Sequence, residues 1–192
     1  MANGGELDVV VICGSLRKGS YNAALARALT GLAPPAMKLS AAPRFDTMPF
    51  YNADLQDAAG FPVEVTTFAD AIRAAAGVII VSPEYNWTIP GALKNAIDWV
   101  SRMKDQPFCN KPVALQSAAR GVLGGARMQY HLRQCLTSID AILFGRPEVI
   151  VTFADKKFDA KTLELTDPAT IDIVRQQLAA FAAFIRRVGV QE

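Results

Sequence analysis

Three stretches of this 192-residue chain gather side chains that could do chemistry. The first is Gly14-Ser15-Leu16-Arg17-Lys18-Gly19-Ser20-Tyr21-Asn22, with neutral donors at Ser15, Ser20 and Asn22 and a forked cation at Arg17. Placed where a helix begins, such a set suits a phosphate, because the helix start adds free N–H groups and the positive end of its dipole. Two stricter phosphate motifs do not fit. Gly14 and Gly19 have the spacing of a nucleotide-binding P-loop, but Ser20 stands where its lysine belongs. Leu16 stands where the dinucleotide fingerprint needs its second glycine. A terminal monophosphate is the better match, and an ordinary polar strand-to-helix turn is the alternative.

The second stretch, Ser82-Pro83-Glu84-Tyr85-Asn86-Trp87-Thr88-Ile89-Pro90-Gly91, sets two aromatics beside an acid and an amide. Tyr85 and Trp87 could wall a flat aromatic ligand, while Pro83 and Pro90 stiffen the backbone so that its amides can address ring heteroatoms. Alternatively, both rings pack over the following helix or against a partner subunit. The third stretch runs from Ser117 through Ala119 and Arg120 to Arg127, and its glycines permit close backbone approach to a planar ligand. Arg120 reads as a solvated surface charge, with a meeting of ligand negative charge as the other reading.

These loops need elements to hold them. Leu7 to Cys13 is a short valine-rich run, the pattern of a strand buried on both faces. Gly77 to Ser82, Pro112 to Ser117 and Glu148 to Phe153 repeat it. Helices are expected from Tyr21 to Leu32, through Leu93, Ala96, Ile97 and Val100, from Gly125 to Ser138, and along Ile171, Val174, Leu178, Phe181, Ile185 and Val188. Prolines 34, 35, 43, 49 and 62 break the segment between them, which reads as an edge strand at Met37 to Ala41 plus a long loop. Strands alternating with helices predict an α/β fold. Specifically, they predict one flavodoxin-like domain over residues 1–192, a doubly wound five-stranded parallel sheet in the order 2-1-3-4-5 with helices on both faces. Ligands of such sheets bind beyond the carboxyl ends of the strands, where all three loops fall.

Composition narrows the functional classes. With 51% hydrophobic and 20% charged residues the chain reads as globular, and a mean hydropathy of +0.19 suits a covered sheet or a subunit that buries surface on association. No apolar run reaches the roughly 18 residues of a spanning helix, so no membrane role is expected. A net charge of +2 without a basic block argues against nucleic acid. Three cysteines (Cys13, Cys109, Cys135) lack CxxC spacing and His131 is the only histidine, so neither a disulfide framework nor a metal site is expected. The first six residues have no basic start followed by an apolar stretch, and the expected compartment is the cytoplasm.

GSLRKGSYN, PEYNWTIPGALKNAIDWVSR and GGARMQYHLRQ, in this order and spacing, resemble the NADPH-dependent FMN reductase family, in its chromate and quinone reductase branch. The resemblance spans nearly the whole chain. It implies bound FMN, NADPH or NADH as co-substrate, and a quinone, chromate or another small oxidant as electron acceptor, reduced by ping-pong hydride transfer through the flavin. It further implies that Ser15, Arg17, Ser20 and Asn22 hold the FMN phosphate. Glu84, Tyr85, Asn86 and Trp87, with Pro83 beside them, would line the ribityl and ring moieties, and Ser117 and the backbone around Ala119 would touch the far edge. No catalytic side chain is implied, because the organic chemistry belongs to the cofactor. Members form homodimers or homotetramers, and Arg127, Tyr130 and Glu148 match the polar positions that network across that interface. Two departures bear on the acceptor and on the third loop: Trp87 replaces a frequent tyrosine, and Ala118-Ala119-Arg120 replaces a more hydroxyl-rich stretch. The rival reading is an electron-carrier flavodoxin, which would need a strongly acidic surface. A receiver-like regulatory domain would need acids after the first strand.

Overall fold

Valine-rich runs with apolar side chains on both faces find their backbone partners in one another. In the computed structural model, which describes residues 5–189, β1 (Leu7–Cys13) pairs in parallel with β2 (Met37–Ala41) on one side and β3 (Gly77–Val81) on the other. β3 pairs with β4 (Pro112–Ala118), whose outer edge is shared by β5 (Ile142–Leu143) and β6 (Val149–Val151). The order 2-1-3-4-5 is the expected one. Residues 1–4, on which the reading of the chain start partly rests, lie outside the described residues.

Alternate residues of each strand face opposite layers. Val10, Ile12, Val78, Ile80, Val113 and Leu115 pack under α3 (Val63–Ala74), α4 (Gly91–Val100) and α5 (Ala126–Thr137). Val9, Val11, Ile79, Val81 and Ala114 pack under α1 (Tyr21–Leu32) and α6 (Pro168–Val188). Leu25 and Leu29 of α1 are wholly buried, each contributing about 1.5–3 kcal/mol relative to exposure. No described helix is long and apolar enough to cross a membrane.

Two expectations need correction. The proline-broken segment from Pro34 to Pro62 is not strand plus loop alone, since α2 (Ala53–Ala59) lies within it and α3 begins directly after its last proline. α2 starts from Asn52, whose Oδ1 accepts from the Asp54 N–H at 2.9 Å, and stops at Gly60, where φ is +76°. α3 follows Pro62 and buries Val65, Phe68, Ala69 and Ile72 at the i, i+3, i+4, i+7 spacing of an amphipathic helix. The remaining loop is pinned by α4. The Pro49 carbonyl accepts from Asn95 Nδ2 and Trp99 Nε1, and Asn95 Oδ1 accepts from the Tyr51 N–H. The second correction is at the far edge, where six strands form instead of five. β5 and β6 both lie along β4, interrupted at Gly145-Arg146-Pro147, where proline has no N–H for the ladder.

Candidate functional site

β1 is followed by Gly14, whose N–H donates to the Val81 carbonyl at 2.9 Å. A side chain at Gly14 would run into Ser82, so glycine lets the exits of β1 and β3 lie side by side. The loop then reaches Ser20, which caps α1: its Oγ accepts from the N–H groups of Asn22 at 3.1 Å and Ala23 at 3.4 Å. The Ser20 hydroxyl proton stays available to a ligand. Cys13 is half-buried and donates its thiol to the Ser15 carbonyl at 3.6 Å, and burial pushes its pKa up, so it remains a thiol.

After β3, Tyr85 and Thr88 exchange two backbone hydrogen bonds of 3.0 Å. Asn86 and Trp87 between them have φ of +48° and +70°, the two left-handed residues of a tight primed turn. Glu84 fixes this hairpin from below. Its carboxylate accepts from Arg127 Nε at 2.7 Å and from the Met128 N–H at 3.2 Å, so it caps the start of α5, which has no capping side chain of its own. The Arg127 guanidinium also stacks on the Trp87 ring, 4.3 Å from its centroid, and His131 Nδ1 lies 2.9 Å from Thr88 Oγ1.

The third loop is tied to the first by Asn22. Its Nδ2 donates to the Ala118 carbonyl at 2.8 Å and its Oδ1 accepts from the Ala118 N–H at 2.9 Å. The three loops thereby enclose an open cavity of about 360 Å³ lined by Ser15, Arg17, Ser20, Tyr21, Asn22, Pro83, Glu84, Tyr85, Ala118, Ala119 and Arg120. Its charge is one-sided. Glu84 is the sole acid of the lining and is neutralised by Arg127, whereas Arg17 and Arg120 make no ion pair with any described residue. Arg120 instead lies over the Tyr21 ring, 5.7 Å from its centroid.

The model of the family described as NADPH-dependent FMN reductase matches residues 7–156. The chain belongs to that family. It is 49% identical to the quinone reductase of Escherichia coli strain K12 over 185 residues, covering 96% of this chain and 98% of that one. Over 183 residues it is 44% identical to an NAD(P)H-dependent FMN reductase of Pseudomonas aeruginosa, with 95% and 97% coverage. Among solved structures, the flavoenzyme NAD(P)H:(acceptor) oxidoreductase FerB of Paracoccus denitrificans superposes with a TM-score of 0.84 at 31% identity, covering 94% of this chain and 98% of that one. Membership in this family makes the chain a flavin-dependent oxidoreductase with the flavodoxin-like fold.

The donor set of the cavity fits FMN. Hydroxyls at Ser15 and Ser20, an unpaired Arg17 and the start of a 12-residue helix could together take a phosphate, and a second unpaired arginine, Arg120, belongs to the same lining. Of the residues expected at the site, Ser15, Arg17, Ser20, Asn22, Pro83, Glu84, Tyr85 and Ala119 come together around this cavity. Five expectations change in detail. The Asn22 amide is committed to Ala118, so it joins two loops instead of offering itself to a phosphate. The Glu84 carboxylate is likewise taken up by α5. Ser117 is fully buried under α5, its Oγ accepting from Gln129 Nε2 at 2.8 Å, and strand alternation turns it away from the cavity. The Ala119 backbone is engaged, its N–H by Val151 and its carbonyl by Ala154, so its side chain is what faces inward. Asn86 and Trp87 stand outside the lining, at the rim. Arg120, for which the sequence leaves open a solvated surface charge or a contact to ligand negative charge, belongs to the lining, as does Tyr21, which the sequence reading did not single out. Within the chain Arg127 pairs with Glu84, and Glu148 pairs with Arg133 at 3.4 Å.

Proposed function

We propose that this chain is an FMN-dependent NAD(P)H:quinone oxidoreductase, acting on quinones and other small oxidants. The observation that carries the reading is the cavity at the carboxyl ends of β1, β3 and β4, with two unpaired arginines in its lining and its one acid neutralised. When bound there, FMN supplies the capacity to take two electrons from a reduced nicotinamide and pass them to an acceptor. The protein's part is binding and orientation. Ser15, Ser20 and Arg17 hold the phosphate, with the free N–H groups of the α1 start behind them. Tyr85 and the hairpin backbone at Asn86 and Trp87 address the ring, fixed in place by Glu84 and Arg127. Arg120, beside Tyr21 in the same lining, neutralises further negative charge.

The relatives support the substrate class, since the quinone reductase of Escherichia coli and a 2-hydroxy-1,4-benzoquinone reductase of a Burkholderia species, 34% identical over 181 residues, align along almost the entire chain. NADPH and NADH are both co-substrates in this reading, with chromate among the candidate small oxidants. One domain spanning residues 1–192 is supported by two apolar layers that share a single sheet. The three unbridged cysteines suit a reducing compartment and hence the cytoplasm. A homodimer or homotetramer is supported by the exposed Trp87 and Tyr130, which lie beside Arg127 on the hairpin and α5. Arg127, Tyr130 and Glu148 are the proposed contact residues. Sedimentation at micromolar concentration should give a multiple of the 20.7 kDa protomer, and a monomer would overturn the interface.

The absorbance spectrum of the purified protein, followed by NADPH oxidation with benzoquinone present and absent, tests the main reading. A flavin spectrum with quinone-dependent turnover is expected. A flavin spectrum without turnover would favour the electron carrier, and a protein that takes up no FMN would overturn both.

A further inference from the structure

The layer that carries α1 does not cover the sheet to its edge. α1 presses Leu25 and Leu29 into the core, but toward β2 it presents Ala23 and Ala26, and short side chains leave volume behind. The result is a cavity of about 370 Å³ between α1 and β2, floored by Val11, Cys13, Leu39 and Ala41 and rimmed by Arg27 and Thr30. A second space of about 260 Å³ continues it past the ends of β1 and β2, sharing Val11, Cys13 and Ala41 and ending on Ser15 and Leu16. Ser15 also lines the cofactor cavity, so one loop residue faces both.

The chemistry of this groove is specific. Its inner part has an apolar floor and no acid in its lining, and Arg27 makes no ion pair or hydrogen bond with any described residue. In the outer part Arg44 and Asp46 satisfy each other. A volume of this size sits in the range of small-molecule sites and admits a fused bicyclic aromatic ring. A floor without charge beneath one free guanidinium selects an apolar anion over a cation or a sugar.

We propose that this groove is a second ligand site, for aromatic carboxylates, and that its occupancy is felt by the loop from Ser15 to Arg17. The contact that transmits it is the Cys13 thiol, which lines both parts of the groove and donates to the Ser15 carbonyl at 3.6 Å. A ring seated on Cys13 displaces or tightens that contact and with it the loop. Its effect on FMN affinity rests on the phosphate assignment above. By linkage, FMN then changes carboxylate affinity by the same factor.

Calorimetric titration of the FMN-loaded protein with 2-naphthoate tests the site. One equivalent should bind. Ala26→Phe, which fills the inner cavity, should abolish binding, and Arg27→Gln on the exposed rim should weaken it about fivefold, as for a solvent-accessible charge pair. Neutral 2-naphthol should not distinguish Arg27→Gln from wild type. Saturating 2-naphthoate should change the FMN dissociation constant about fivefold or more and leave that of riboflavin unmoved. No binding, binding that survives Ala26→Phe, equal affinity in Arg27→Gln, or an FMN affinity indifferent to 2-naphthoate would each overturn the proposal. Equal FMN and riboflavin affinities without 2-naphthoate would speak against the phosphate assignment, and the naphthoate titration of the two variants reads the groove separately.

Discussion

Arg17 and Glu84 show how one cavity uses charge in two ways. Arg17 is exposed and unpaired, so its guanidinium is free to meet a phosphate; Glu84 is almost buried, so its charge is spent on Arg127 and on the start of α5. Arg17→Ala should weaken FMN by about tenfold, the equivalent of one charge-assisted contact of about 1.5 kcal/mol, and leave riboflavin nearly untouched. Equal losses on fluorescence titration would remove the phosphate from Arg17. Glu84→Gln keeps the shape but unpairs Arg127, at a cost of about 2 kcal/mol, between the values for exposed and buried pairs. The Tm should then fall by about 5 °C. An unchanged Tm in calorimetry would mean that the hairpin does not depend on this pair. That Ser15, Arg17 and Ser20 meet at one cavity was legible in the sequence because they lie within a few residues of each other at a helix start. The partners of Asn22 and Glu84 were not, because Ala118 is 96 residues away and Arg127 is 43 away, and neither spacing carries a local period.

At the scale of elements, legibility followed periodicity. β1, β2 and α1 stand where their apolar patterns put them, whereas β5 is two residues long, too short for any pattern to mark. α3 is the instructive case. Its four buried residues form a regular stripe, but the prolines upstream dominate the neighbourhood and the stripe begins directly after the last of them. α6 illustrates a helix start whose strength depends on pH. Asp167 caps it, and the Thr170 hydroxyl and then the Thr170 N–H hold the Asp167 carboxyl below the usual carboxylate range. A depressed folded pKa stabilises fully above the unfolded value of about 4 and loses that contribution as the pH falls through the lower folded value. Asp167→Ala should cost about 1 kcal/mol at pH 7. The difference between wild type and Asp167→Ala in urea midpoint should shrink toward pH 3, and a difference that is the same at both pH values would exclude the charged cap.

For the whole molecule, the sheet has one switch point, flanking β1 where the neighbouring strands β2 and β3 lead to opposite sides, and the three candidate loops meet there. Asn22 locks α1 to β4, and Glu84 locks the hairpin to α5, so the cleft is shaped by contacts that join the exits of β1, β3 and β4. Reduced nicotinamide and quinone are both planar, and each must approach the reacting atoms to within about 3 to 3.5 Å. Two such rings cannot occupy that distance on one open face together, so the proposed function carries the expectation that the first product leaves before the acceptor enters. Initial rates at varied NADPH and benzoquinone should therefore give parallel double-reciprocal lines, and excess quinone should inhibit competitively against NADPH because it occupies the nicotinamide's place. Intersecting lines would require both substrates to be bound at once and therefore a second substrate position outside the cleft formed by these three loops.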